Sequence, residues 1–150
     1  MLDLVKRLPR ILDVERVQAA IGVAETRTSG ELRVSVSPFF WGDVRRAAER
    51  AFDRLGMSRT REHNGVLFFI VPSRRAFVVL GDSGIHERVG DELWKRVVSA
   101  MTPCFERGDF TAGVLLGIEL VGETLARHFP PSPLDNPNEL PDAIDVGRRS

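Results

Sequence analysis

The sequence lacks the features that mark secreted, zinc-stabilised or membrane-spanning chains. Cys104 is the only cysteine among the 150 residues, so an internal disulfide and a cysteine-rich zinc site are both excluded. The longest apolar run, Val66–Val71, is far shorter than the roughly 20 residues that a membrane span needs. An early acid and an early proline stand where a signal peptide has its apolar stretch. The sequence therefore predicts a cytoplasmic chain without a transmembrane segment.

The chain also carries no net charge at pH 7, because 21 basic side chains balance 21 acidic ones. This balance argues against a nucleic-acid partner, which is bound largely by neutralising phosphates. The charges are uneven along the chain, since residues 1–75 carry 14 basic and 9 acidic groups and residues 76–150 carry 7 and 12. If both halves fold together, the surface is expected to be bipolar.

Common catalytic signatures are absent as well. The sequence has no glycine-rich phosphate loop, no dinucleotide-binding glycine motif after a strand and no His-Glu-x-x-His zinc motif. Cys104 falls near the apolar face of a predicted helix, where a cysteine is usually part of the core. The three histidines are too scattered to suggest a zinc site, and each is predicted in a loop or on the surface. They are His63, His86 and His128.

The spacing of apolar residues predicts alternating helices and strands. Apolar residues recur every three or four positions in the predicted helices, and they alternate or run continuously in the predicted strands. Helices are predicted over 14–27, from the cap Asp43 to Gly56, near 89–106 and after the cap Asp109; strands are predicted over 31–37, 65–71 and 76–80.

The connections between these strands predict a mixed sheet. The first two strands are joined through a helix and should be parallel, whereas the turn at 72–75 is so short that the second and third should be antiparallel. Helices then cover both faces of a small sheet, which is an α/β/α sandwich of the α/β class. One domain is predicted over 1–129, with an amphipathic arm at 1–12 and an extended proline- and acid-rich tail at 130–150.

Three loops of the predicted sheet bring oxygen-bearing side chains to one edge. One acid starts the first strand, an acid and an amide precede the second, and another acid follows the third. Carboxylate and amide oxygens without cysteine suit Ca²⁺ or Mg²⁺ better than Zn²⁺. The alternative is that these groups only cap helices and turn the backbone. The predicted metal ligands are Glu31, Glu62, Asn64 and Asp82.

Four segments in order resemble the TPM domain family. They are Thr28–Val34, Asn64–Phe68, Gly81–Ile85 and Phe105–Phe110, the last followed by Ala112-Gly113. The resemblance covers about residues 13–129, and residues 138–144 look like the ending of short bacterial members. No single segment is specific, but the four in order are hard to obtain by chance. The resemblance implies an α/β sandwich with a small central sheet, in agreement with the apolar pattern.

The functions that the resemblance implies are diverse. One plant thylakoid member is associated with acid phosphatase activity and photosystem II repair, an animal member is accessory to a receptor channel, and some members bind calcium. We therefore expect a module that binds calcium or magnesium and a protein partner, as an accessory of a membrane-associated assembly. The arm at 1–12 is predicted to pack on the body of the domain; the alternative is that it docks on a membrane-bound protein of the same family. The alternative is an acid phosphatase in which Asp82 or His86 handles a proton.

Overall fold

The computed structural model describes residues 11–38, 40–131 and 144–146. Five helices lie within these ranges: α1 (Val14–Glu25), α2 (Val44–Arg54), α3 (Ser83–Val89), α4 (Glu92–Glu106) and α5 (Phe110–His128). Four strands lie there too: β1 (Glu31–Val36), β2 (Gly65–Val71), β3 (Ala76–Gly81) and β4 (Asp145–Val146). Most of the predicted arm at 1–12 and much of the predicted tail at 130–150 fall outside the described residues.

The strands form one mixed sheet in the order β3-β2-β1-β4. β1 is parallel to β2, and β2 is antiparallel to β3, as the connections predicted. β4 was not predicted; it pairs in parallel with the end of β1, where Ser35 lies opposite Asp145. A strand of two residues inside a polar tail carries no apolar pattern from which it could be found.

The core is divided between the two faces of the sheet. β2 is buried along its whole length, which explains why its sequence is continuously apolar rather than alternating. Val66, Phe68 and Ile70 belong to the larger cluster, which α1, α4 and α5 cover. Alternate residues of β2 face a smaller cluster that contains Ala48 of α2 and Met57. Helices thus cover both faces, and the predicted α/β/α sandwich is confirmed.

Aspartate caps fix where three of the helices begin. The side chains of Asp13, Asp43 and Asp109 each accept a hydrogen bond from a backbone N–H in the first turn of α1, α2 and α5 respectively. Such a cap satisfies one of the N–H groups that a helix start leaves without an internal partner. No described helix is long and apolar enough to cross a membrane.

The region between β3 and α5 differs from the prediction. The helix predicted near 89–106 is α4, which begins at Glu92, and the residues before it form a separate, unpredicted helix, α3, which ends just before Gly90, whose φ is 63°. His86, predicted in a loop, therefore lies on α3. Val98, predicted on the buried face of the long helix, is 47% exposed, because the buried stripe of α4 runs through Leu93, Val97 and Met101 instead.

Candidate cation site

Three loops meet at one end of the sheet. Glu31 lies opposite Gly65, and Val66 lies opposite Gly81. The start of β1, the start of β2 and the end of β3 therefore share one end of the sheet. We call this region the loop edge and define it as residues 28–31, 60–64 and 81–84.

A hydrogen-bonded cluster joins the first two of these loops. The Ser29 hydroxyl donates to the Glu62 carboxylate. Asn64 Nδ2 donates to Ser29 Oγ at 3.1 Å and lies 3.5 Å from Glu62 Oε2. Two of the predicted ligands, Glu62 and Asn64, are thus brought together, and Ser29 is the contact between them that sequence reasoning missed. A serine in a turn is so common that its sequence carries no signal for this role.

The other end of the Asn64 amide has no such partner. Asn64 is 1% exposed, and its Oδ1 is buried without a hydrogen-bond partner among the described residues. A buried acceptor in this condition costs about 1–3 kcal/mol relative to one that is hydrogen-bonded. The loop edge therefore contains a buried, unsatisfied amide oxygen, and the other end of the same amide lies near the exposed carboxylate of Glu62.

Two threonines hold the backbone of these loops. Thr28 Oγ1 lies 2.5 Å from the carbonyl oxygen of Phe129 and accepts from the Gly30 N–H at 3.0 Å. Thr60 Oγ1 accepts from the Asn64 N–H at 3.1 Å. Both threonines are buried. The position of Asn64 is therefore fixed by its own backbone as well as by its side chain.

Asp82 binds a different set of partners. Its Oδ1 accepts from the Ser83 N–H at 2.8 Å, which caps α3. Its Oδ2 lies 3.3 Å from His63 Nδ1. Helix capping was predicted for Asp82 as the alternative to metal binding, whereas the contact with His63 was not predicted. His63 has a φ of 51°, an uncommon conformation for a residue with a Cβ that no local pattern marks.

The loop of Asp82 and the loop of His63 are in direct backbone contact. The Gly84 N–H donates to the His63 carbonyl at 2.9 Å. A Cβ at Gly84 would lie 2.1 Å from the Glu62 carbonyl oxygen, so only glycine permits this approach. The second candidate catalytic residue, His86, lies elsewhere, with its ring 5.7 Å from that of Trp94.

The remaining predicted ligand, Glu31, is 1% exposed. Its N–H donates to the Asn64 carbonyl at 3.4 Å, which ties the start of β1 to the loop before β2. In the described ranges, no three side chains of His, Cys, Asp or Glu are grouped so that they could hold a metal ion. The three predicted carboxylates thus share one end of the sheet but do not form a single carboxylate cluster.

Comparisons with known proteins identify the family of the chain. A model of the TPM domain matches residues 11–124. The BA42 protein of the psychrophilic bacterium Bizionia argentinensis, whose structure was solved by NMR, is 36% identical; the match covers 89% of this chain and 92% of that one, with a TM-score of 0.82. The N-terminal domain of a P. gingivalis protein is 21% identical over 69% of this chain and 68% of that one, with a TM-score of 0.58, and this likeness concerns the fold alone. No curated protein matches the chain.

Proposed function

Because the chain belongs to the TPM domain family, we propose that it is a binding module that takes a divalent cation at its loop edge and a protein partner on a separate surface. The observation that carries the cation site is the buried Asn64 Oδ1 without a hydrogen-bond partner among the described residues. The Nδ2 of the same side chain approaches the Glu62 carboxylate. Rotation of the amide about its Cβ–Cγ bond would exchange Nδ2 and Oδ1, and a cation between this oxygen and the carboxylate would then supply the partner that the oxygen lacks.

The side chains at the loop edge suit a hard cation. The Glu62 carboxylate and the Asn64 amide oxygen would hold it, together with the Asp82 carboxylate from the facing loop. All three donate oxygen, which favours Ca²⁺ or Mg²⁺ over Zn²⁺. Glu31 stays a predicted fourth ligand. The ion would supply positive charge that links two loops, and it would stabilise the folded chain by mass action, by about 2.7 kcal/mol at a hundred times its Kd.

Titration calorimetry of the purified chain with Ca²⁺ and with Mg²⁺ tests this site. Glu62→Gln keeps the shape of the side chain and its capacity to accept from Ser29 but removes the charge, so we expect at least about tenfold weaker binding. Asp82→Ala should weaken binding as well. Glu87→Gln, an exposed acid of α3, is the matched control and should bind like the wild type. No heat with either ion, or equal binding by Glu62→Gln, would remove the cation site.

The partner and its location are also proposals. The family resemblance implies a protein partner within a membrane-associated assembly, and the cytoplasmic location stays a prediction from the sequence. Sedimentation of the purified chain with native membranes, and with the same membranes after protease treatment, tests the partner. We expect binding that protease treatment abolishes. Binding to the treated membranes, or to neither preparation, would contradict a membrane-associated protein partner.

The second candidate function is the acid phosphatase, and the contact between His63 and Asp82 favours it. An imidazole 3.3 Å from a carboxylate is an arrangement that can hold and transfer a proton. Hydrolysis of an aryl phosphate at pH 5 tests this function. Activity that persists through repeated purification and disappears in Asp82→Asn would support the phosphatase. Activity that survives this substitution would come from a contaminant.

A further inference from the structure

The outer side of β3 is an open sheet edge, because no strand within the described residues pairs with it. The Asp82 N–H donates to the Gly65 carbonyl at 3.0 Å, and residues of an antiparallel pair alternate between bonding and facing away. Ala76, Val78 and Leu80 therefore direct their backbone groups toward β2. The residues that direct theirs outward are Phe77, Val79 and Gly81.

This edge lacks the features that usually prevent pairing with another chain. Natural edge strands are protected by charged side chains, by proline or by bulges. β3 reads Ala-Phe-Val-Val-Leu-Gly, without a charge or a proline. Its register with β2 runs through six consecutive pairs with no bulge. The outer side of β3 is therefore able to accept a further strand.

The open edge forms the floor of a groove of about 610 Å³. Residues 75–81 line it, with Arg45 of α2 and, from α4, Trp94, Val98 and Thr102. Every residue of β3 is half-buried rather than exposed, and side chains of α2 and α4 line the groove beside it. Six residues of strand extend about 20 Å, which suits one extended peptide segment. A second copy would bring its own α2 and α4 side chains to the same edge, so the groove suits a single extended segment better.

The groove also contains a polar group that needs an acceptor. Trp94 Nε1 is buried and has no hydrogen-bond partner in the part of the chain that the structure describes. The indole lies against the end of β3, since a Cβ at Gly81 would be 2.4 Å from its ring. A buried indole N–H normally has a partner. A carbonyl or carboxylate of a bound segment would supply the acceptor.

We propose that β3 binds an extended segment of another protein, which adds a strand to the sheet at this edge. Such strand addition is a known mode of peptide recognition, in which backbone hydrogen bonds give affinity and alternate side chains give specificity. Two arginines, Arg45 and Arg75, line the groove against one carboxylate, Asp91. Arg45 also forms an exposed ion pair with Glu49 at 3.6 Å, and Arg75 donates to the Glu106 carbonyl. Each arginine therefore keeps N–H groups for a further acceptor. The mostly apolar lining and these two cations favour a segment that is apolar at alternate positions and carries an acidic residue. This inference rests on the partner half of the proposed function and is independent of the cation.

Selection from a library of random ten-residue peptides tests the proposal. The wild-type chain is the target, and Val79→Pro is the matched control for counter-selection. This substitution removes an outward N–H and leaves the bonds to β2 in place, as edge positions allow. We expect enriched peptides with alternating apolar residues and at least one acid, and binding to Val79→Pro weaker by about tenfold. If Val79→Pro fails to fold, Trp94→Phe replaces it, with the same expected loss.

Amide exchange of the wild-type chain with the best peptide gives a second readout. Bound peptide should slow exchange at Phe77, Val79 and Gly81 and leave Val78 and Leu80 unchanged, because those two already bond to β2. A peptide that is N-methylated at the alternate residues whose N–H groups face β3 should not bind. Arg45→Glu should weaken binding by about three- to fivefold, and Arg16→Glu on α1 should not.

Three results would overturn the proposal. The first is enrichment no greater on the wild type than on the control variant, and the second is slowed exchange without alternation along β3. The third is slowing at the same three amides that appears with rising protein concentration and no peptide, which would assign the edge to a second copy. None of these results bears on cation binding, which is measured with Glu62→Gln and without peptide.

Discussion

The two edges of the sheet are completed in opposite ways. At the β1 edge, polar side chains satisfy the outward groups: the Leu32 N–H donates to Glu25 Oε2 at 3.1 Å, and β4 pairs with the end of the strand. At the β3 edge, no described strand or side chain takes that place along the strand. One fold thus contains a closed, polar edge and an open, apolar one.

An ion pair and a side-chain hydrogen bond hold β4 beside β1 at the closed edge. Asp145 Oδ2 accepts from Ser35 Oγ at 2.8 Å and from Arg54 Nη2 at 2.9 Å. Burial raises the pKa of Asp145, but hydrogen bonds from Arg54 and Ser35 and the positive charges of Arg54 and Arg33 outweigh this effect, so its pKa lies below the ordinary 3.8. The same ion pair raises the pKa of Arg54. The carboxylate is therefore ionised in the folded chain at neutral pH.

Helix side chains complete the β1 edge of the sheet but not the β3 edge. Glu25 of α1 and Arg54 of α2 both reach over the sheet to the β1 edge, whereas the helices beside β3 leave a groove. The closed edge is completed by side chains of this chain, and the open edge is the one to which we propose that a segment of another protein binds.

The greatest loss of stability is expected from a side chain of β3 that packs into the core, and a much smaller one from a side chain on the groove wall. The ring of Phe77 lies 4.8 Å from that of Phe105 and packs against the larger core. Phe77→Ala should lower the free energy of unfolding in urea by about 3 kcal/mol. Val98→Ala on the groove wall should change it by less than about 0.5 kcal/mol. Equal losses would mean that the groove wall is part of the core.

A smaller loss of stability is expected at Glu25, through which α1 completes the β1 edge. Glu25 is 5% exposed, and Glu25→Ala would leave the Leu32 N–H buried without this acceptor. The free energy of unfolding should fall by about 2 kcal/mol. Glu25→Gln keeps an acceptor oxygen and should retain most of the stability. If both variants lose the same amount, the charge rather than the hydrogen bond is what this position supplies.

The smallest effect concerns β4. The Ser37 N–H donates to Ile70 in β2, so the neighbouring Val36 directs its backbone groups to β4. Asp145→Asn should lower global stability by less than about 1 kcal/mol but speed amide exchange at Val36. A global loss as large as that of Glu25→Ala would contradict a merely local role for the ion pair.

The same carboxylate makes a pH-dependent contribution. Because the pKa of folded Asp145 lies below 3.8, its stabilising effect is fully present above that pH and is lost as the pH falls through the folded value. The protection of the Val36 amide, measured relative to its intrinsic exchange rate at each pH, should therefore fall in acid for the wild type. In Asp145→Asn this protection should already be low and should not respond to the titration. A fall in protection at Val36 that is the same in both chains would assign the transition to another group.

Much of the fold could be predicted because its signals are local. The strands β1–β3 follow apolar patterns, the caps Asp13, Asp43 and Asp109 stand directly before apolar stripes, and strand directions follow from connection lengths. β4 could not be predicted, because side-chain bonds to Asp145 rather than a pattern place it. The helix α3 was not predicted, because its seven residues bury only Ile85 and so show no apolar stripe.

The candidate site was predictable only in outline. Strand directions were enough to bring the loops of Glu31, Asn64 and Asp82 to one end of the sheet. The bonding within that end depends on side-chain geometry, which sequence does not encode in a short motif. The contact of Asp82 with His63 depends on an uncommon backbone conformation, and the buried amide of Asn64 depends on how the three loops pack.

The bond between Thr28 and Phe129 has a consequence for the timing of folding. Thr28 Oγ1 and the Phe129 carbonyl are 101 residues apart in the chain, and the Ser29 N–H donates to the same carbonyl at 2.9 Å. The Ser29 loop is therefore completed only when the last turn of α5 has docked. At synthesis rates of about 5–20 residues per second, that helix end leaves the ribosome on the order of 5–20 s after the loop does. During that interval β1 and β2 exist as chain, but the side chains at their common end have not yet reached their final arrangement.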